Sequence, residues 1–276
     1  MFRPAALAAV FILAAAIPAH AQSLSPHCSD IKIGVSRDGL GFLPSRSIIV
    51  DHAEEPELAF FGNSPKLYAR NILPERKGLY VVSPNSQGHW VTGEKVFIDG
   101  EFAVEAAAPD VVTLDDKRIR LYFQLLDKPD TILSAISENG EKFTSEGVAL
   151  PEAGLGHPTI LRLADGSWLM AYSKDEKTIA FAKSADGKNF SKLPQTIEGG
   201  HAELANAKDG KIRIYHSGDN DISSLTSADN GATWKADAGH RMRDMAPLAD
   251  PTHLQLPDGG RLMFFRATRE KCKWKK

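Results

Sequence analysis

Five segments of this sequence repeat one pattern, and four of the five bring a carboxylate to the same place in it. They read EPELAFFGNSPKLYAR (55–70), APDVVTLDDKRIRLYFQ (108–124), HPTILRLADGSWLMAYS (157–173), HAELANAKDGKIRIYHS (201–217) and DPTHLQLPDGGRLMFFR (250–266). Aligned on Pro56, Pro109, Pro158, Ala202 and Pro251, the preceding residues are Glu55, Ala108, His157, His201 and Asp250. The following residues are Glu57, Asp110, Thr159, Glu203 and Thr252. Two carboxyl groups across a glycosidic bond can hydrolyse it, one protonating the leaving oxygen while the other activates water or attacks. Clustering pushes their pKa values apart, which supplies an acid and a base from the same residue type. His157 or His201 as a base would suit a lyase or another enzyme working at the same place. The segments end in Arg70, Gln124, Ser173, Ser217 and Arg266, and Arg243 precedes the last of them. Arginine forks match carboxylate, sulfate or phosphate groups.

The elements that position these residues are strand pairs. Asp-Gly at 165–166, 209–210 and 258–259 marks tight hairpins between apolar runs. RIRLYF and RLMFF alternate as half-buried strands do. A second repeat interleaves with the first: SRDGLGF (36–42), SPNSQGHW (83–90), SENGEKF (137–143), SADGKNF (184–190) and SADNGATW (227–234). Their first serines lie 47, 54, 47 and 43 residues apart, a blade-sized spacing for a β-propeller. The pattern predicts an all-β, five-bladed propeller of four antiparallel strands per blade, with no helix. The chain opens on a Ser/Asp turn and closes on a hairpin. The last blade therefore takes two strands from 250–267 and two from 30–35 and 45–51, which leaves no open edge. The first strand of each blade lines the central channel, so the site belongs at one mouth of that channel. The Ser/Asp turns fall on the other face and are expected to be structural: Asp and Ser bond within the turn, Gly takes a positive φ, and the final aromatic packs between sheets.

These turns resemble the Asp-box of sialidases and related propellers, and SADNGATW fits that pattern at every fixed position. Sialidases have six blades, an arginine triad and a Phe-Arg-Ile-Pro start, none of which is complete here. The hairpins, APDVV, HPTILRLADGSWLMAYS and DPTHLQLPDGGRLMFF above all, are similar to five-bladed glycoside hydrolases of the arabinanase, xylosidase and invertase group. That resemblance implies a general base at Asp250, in its Asp-Pro strand start. It implies a tuning carboxylate at Asp110 and an acid at Glu203. HAEL departs from the family's Glu-Gly-Pro around the acid, and the Asp-Pro start falls in the closing blade, so Glu55 or Glu57 could take the base role instead.

The remaining features set the context. Arg3, the apolar run AALAAVFILAAAI and Ala19-His20-Ala21 read as a signal peptide over 1–21, cut before Gln22. The mature chain, 22–276, is then one propeller domain, secreted or periplasmic, expected to be a monomer without a transmembrane segment. Charges of both signs are interspersed, with a formal net charge of −2 and no basic stripe, which argues against nucleic acid as a partner. The two cysteines, Cys28 and Cys272, flank the two termini, which predicts one disulfide locking the ring closure. No metal or cofactor is expected: the histidines lack zinc spacing, and a channel-bound calcium has no ligand pattern in its favour. The sequence therefore predicts an exported carbohydrate-active propeller acting on oligo- or polysaccharide, with an anionic glycan favoured by the arginines. A non-catalytic glycan- or protein-binding propeller is the alternative.

Overall fold

A computed structural model describes residues 29–61, 64–218, 220–244, 247–256 and 259–268. The expected leader (1–21), Cys28 and Cys272 lie outside the described residues. The chain forms five antiparallel sheets around a channel. Blade 1 is Ala53–Phe61, Ser64–Asn71, Gly78–Pro84 and Trp90–Lys95. Blade 2 is Ala106–Thr113, Ile119–Leu125, Lys128–Ser137 and Lys142–Leu150. Blade 3 is Gly156–Arg162, Trp168–Asp175, Thr178–Ser184 and Ser191–Glu198. Blade 4 is Ala202–Asn206, Ile212–Ser217 and Asp221–Ser227, with an outer edge made of two short pieces, Lys235–Ala236 and Met242–Arg243. Blade 5 is Leu248–Gln255 and Arg261–Thr268 joined to Ser29–Ser36 and Leu43–Val50, the closure expected from the repeat order. The first strands of the blades touch one another in ring order. Blade 2 carries an addition that the repeats do not announce: Phe97–Ile98 and Glu101–Phe102 extend its outer edge. Among the described residues the only helix is one turn of 3₁₀ at Lys208–Gly210, and no helix is long and apolar enough to cross a membrane.

The Ser/Asp turns join the third and fourth strands and tie blade to blade. In 227–234, Gly231 N–H donates to Ser227 Oγ (2.9 Å) and Thr233 N–H to Asp229 Oδ1 (2.9 Å). Gly231 sits at φ +83°, where a side chain is strained. The aromatic that ends each turn packs on the preceding blade: Phe143 on Tyr68, Phe190 on Tyr122, Trp234 on Phe181, Phe42 on Tyr215 and Trp90 on Phe264. Three of those tyrosines donate their hydroxyls to glycine carbonyls of the neighbouring turn: Tyr68 to Gly140, Tyr122 to Gly187 and Tyr215 to Gly39. Three of the five interblade seams thus bury rings and satisfy a phenol at once, and the other two bury rings alone.

The channel side is built differently. In blades 1, 2, 3 and 5 the first strand slips register at the proline, between Glu54 and Glu57, Ala107 and Asp110, Gly156 and Thr159, and Ala249 and Thr252. The residue before each proline is left-handed: Glu55 at φ 55°, Ala108 at 47°, His157 at 47° and Asp250 at 49°. A following proline disfavours the right-handed α region, and a left-handed residue followed by a register slip is a bulge that re-aims side chains. Such backbone costs on the order of 1–3 kcal/mol per residue and concentrates at functional sites. Blade 4 has Ala202 in place of proline and pairs without a slip from Ala202 to Asn206.

Candidate functional site

The four bulges and the unbulged blade 4 deliver the ring of polar residues at two depths. Glu54, Glu55, His157, His201 and Asp250 form the rim. Asp250 is the hub. Its Oδ2 accepts Arg266 Nε–H (2.6 Å) and its Oδ1 meets His201 Nδ1. The His201 ring lies on His157, centroids 3.7 Å apart and 18° from parallel. Gln124 Oε1 accepts the His157 backbone N–H (2.9 Å). Glu55 Oε2 accepts the Ala108 N–H (2.8 Å), and Arg70 donates to Glu54 (2.6 Å). The two arginines are thus bonded to rim carboxylates. Arg243 lies elsewhere: it is exposed at the outer edge of blade 4, beside His240 and 4.0 Å from Asp221.

Behind the rim, Glu57, Asp110 and Glu203 meet with their carboxylate oxygens within 4.8 Å of one another, all three buried. Glu203 accepts the Thr159 hydroxyl (3.1 Å) and the His253 N–H (3.3 Å), and Asp110 Oδ1 accepts the Ile160 N–H (3.3 Å). Asp110 Oδ2 is buried with no hydrogen-bond partner among the described residues. A cavity of about 30 Å³, lined by both tiers and by Pro56, Pro109, Pro158 and Pro251, separates them. That is room for water and too little for a sugar ring. The sequence put Asp250, Glu203 and Asp110 at one mouth. The structure leaves Asp250 at the rim and groups Glu203 and Asp110 with Glu57 below the prolines.

Protonation divides along the same line. Burial, the neighbouring Glu54 carboxylate and Asp250 push Glu55 up to about 7, against the Ala108 N–H. Burial also raises Glu54, with Asp250 adding to it and Arg70 opposing. Burial alone would raise Asp250 too, but Arg266 and His201 hold it well below the usual carboxylate range. His201 is raised, because Asp250 outweighs its burial, whereas burial and the charge of His201 push His157 down to about 3. In the deep tier, burial raises Asp110 to about 8 against its hydrogen bonds, and burial together with the neighbouring carboxylates lifts Glu57 and Glu203 well above the ordinary value. Three buried carboxyls this close cannot all ionise. The oxygen-only deep tier has the donor chemistry of a hard-cation site or of a shared-proton cluster. At the rim, both Asp250 oxygens are already taken by Arg266 and His201.

A groove of about 630 Å³ meets the rim at His201 and Arg266 and runs over blade 4, lined by Glu176, Glu198, Gly200 and Asp221. Its floor needs glycine: Gly199 sits at φ +154°, and a Cβ there would come within 2.7 Å of the His216 ring. The groove's size suits a ligand of a few rings. Its acids lie outside the two repeats: Glu176 in a loop, Glu198 at the end of one strand and Asp221 at the start of another. The run Glu198-Gly199-Gly200-His201 was the available sequence signal, since it replaces the X-Pro start of the other blades.

No protein-family model matches the chain, and no curated protein does. Solved structures do. An endo-1,4-β-xylanase from Bacteroides thetaiotaomicron superposes with a TM-score of 0.62 at 16% identity, covering 78% of this chain and 84% of that one. An α-L-arabinofuranosidase from Clostridium thermocellum gives 0.59 at 14%, covering 75% and 79%. A Bacillus subtilis arabinanase gives 0.54 at 13%, covering 76% and 92%. The chain shares the five-bladed propeller fold of family-43 glycoside hydrolases, a fold that these enzymes use on carbohydrate.

Proposed function

We propose that the protein is an exported glycoside hydrolase whose chemistry takes place at the rim, where the groove over blade 4 ends at His201 and Arg266 and brings one end of a saccharide to Asp250. One observation carries this reading: two carboxyls lining one small cavity have opposite surroundings, Glu55 buried beside Glu54 with a single backbone donor and Asp250 held between Arg266 and His201. Burial, Glu54 and Asp250 raise Glu55 to about 7, so near neutral pH a large fraction of it carries a proton, while Arg266 and His201 hold Asp250 well below the usual carboxylate range. Glycosidic cleavage requires an acid and a carboxylate on either side of the bond. Glu55 protonates the leaving oxygen as its bond to the anomeric carbon breaks. Asp250, fixed by Arg266 and His201, faces the positive charge that develops on the sugar, and a water then adds to the anomeric carbon and returns a proton to Glu55. Glu203 and Asp110, expected from sequence as acid and tuner, act here from beneath the prolines by repelling charge within their own cluster. Arg70 and Arg266 position carboxylates, so the groove, with Glu176, Glu198 and Asp221, does not single out an anionic glycan.

Screening plant, bacterial and host polysaccharides for release of reducing ends tests the reading. The parent should cleave at least one, and Glu55→Gln and Asp250→Asn should each lose turnover while keeping saccharide affinity. Equal turnover by the Glu55→Gln variant would remove Glu55 from the mechanism. Saccharide binding without cleavage by the parent would make the rim a recognition site.

A further inference from the structure

On the face opposite the mouth, a groove of about 680 Å³ runs between blades 4 and 5, beside the 36–42 and 227–234 turns. Its charges do not balance. The two carboxylates in it are engaged. Asp237 accepts Arg213 Nε–H (2.9 Å) and the Ser224 hydroxyl (2.6 Å), and Asp38 Oδ1 accepts the Leu40 N–H within its own turn (2.8 Å). Lys208, Lys211 and Lys235 stand exposed along the groove, and none of them ion-pairs with a residue whose side chain is described. Beneath them lies Arg261, only 4% exposed. Its Nη1 meets the Asn206 carbonyl (3.3 Å) and His253 Nε2 (2.9 Å), and its buried Nε has no partner. No described carboxylate lies against it. A guanidinium does not give up its proton, and a buried cation without a counter-charge is costly.

We propose that this groove is a second carbohydrate site, distinct from the mouth, that holds the carboxylate or sulfate groups of an anionic polysaccharide. An oxyanion laid along the three lysines supplies the negative charge that the Arg261 pocket lacks. Arginine and lysine bind such groups through charge-assisted hydrogen bonds. Nucleic acid fits less well. The cations are confined to one interblade groove of a chain with net charge −2, and Trp234, the aromatic there, is stacked on Phe181 (5.4 Å) rather than free to take a base. The choice of a saccharide over other polyanions rests on the reading of the mouth as carbohydrate-active. Because the groove opens on the other face, it anchors a polymer and takes no part in cleavage.

Affinity electrophoresis through gels containing polygalacturonate, heparin or neutral arabinan, with a single-stranded oligonucleotide as competitor, tests this without any turnover. The parent should be retarded by polygalacturonate, heparin or both, which identifies carboxylate, sulfate or either as the group held. Added salt should weaken the retardation. Lys208→Ala/Lys211→Ala/Lys235→Ala should weaken it by at least about tenfold, since exposed cations dominate polyanion affinity. If the triple variant melts early, Lys211→Glu alone must weaken it, at one exposed position. No retardation by either polyanion, equal retardation of parent and variants, or full displacement by the oligonucleotide at lower concentration than by free polygalacturonate or heparin would overturn the proposal. Failure to find a cleaved substrate at the mouth would leave these outcomes unchanged.

Discussion

Asp229, in the last Ser/Asp turn, and Glu55, at the mouth, are both carboxylates in tight turns, yet their protons behave oppositely. Asp229 is open to water and accepts the Thr233 hydroxyl (2.6 Å), the Thr233 N–H and the Ser227 hydroxyl (2.7 Å), which hold it at about 2. Glu55 is half-buried, has one backbone donor, and is pushed to about 7 by burial and by Glu54. The difference is one of donor supply. Where the turn offers donors and water, a carboxylate is ionised and stabilising. Where strained backbone carries it away from both, it becomes a reservoir for a proton. One face of the propeller carries ionised, hydrogen-bonded carboxylates, and the other carries a carboxyl with a raised pKa.

Glu55→Gln is the strongest attempt to break that contrast. Turnover should fall on the order of 10²–10⁴-fold, the usual scale for losing a general acid. In the parent, the proton on Glu55 must be present, so kcat should fall as pH rises through about 7. An unchanged alkaline limb in the variant would assign the limb to another group.

Trp234→Ala attacks the face of the Ser/Asp turns. Loss of its stack on Phe181 should cost about 3 kcal/mol, read from chemical denaturation, with kcat per folded molecule unchanged. A selective loss of turnover at parental stability would mean that the turn does more than pack blades.

Asp110→Asn sharpens the comparison within the channel. The folded-state value of about 8 lies above the unfolded value of about 3.9, so the unfolded chain releases its proton first as pH rises. The stability from that group is complete below pH 4 and is lost progressively toward pH 8. The variant cannot ionise there and still accepts the Ile160 N–H, so its Tm should overtake the parent's as pH approaches 8. Parallel Tm curves from pH 4 to 8 would show that Asp110 is an ordinary carboxylate. Asp229→Ala should have the smallest effect, a Tm loss below that of Trp234→Ala.

Most of the scaffold was legible because each part of it is repeated. Five hairpins and five Ser/Asp turns fixed blade number, strand order and the closure of Leu248–Gln255 and Arg261–Thr268 on Ser29–Ser36 and Leu43–Val50. The rim was half legible. The alignment on proline picked out Glu55, His157, His201 and Asp250 but gave Glu57, Asp110 and Glu203 the same depth. Strand periodicity puts positions i and i+2 on one face, and in blades 1, 2, 3 and 5 the left-handed bulge before the proline re-aims them along the channel. Glu54 was passed over because the alignment began one residue later, although Glu-Glu-Pro is unusual for a strand start. Glu176, Glu198 and Asp221, which line the groove, sit in a loop and at two strand ends outside both repeats, where no repeat carries a signal. Arg70 and Arg266 read as anion forks, since a sequence does not show that Glu54 and Asp250 already occupy them.

The central claim is that Glu55 keeps its proton near neutral pH while its rim neighbour does not. A carbon-13 NMR titration of the glutamate side-chain carboxyls, with Glu55 identified by its absence in Glu55→Gln, measures this with no substrate. The account predicts a Glu55 midpoint near 7. A midpoint at the ordinary glutamate value near 4.3 would contradict it and leave the mouth without its acid.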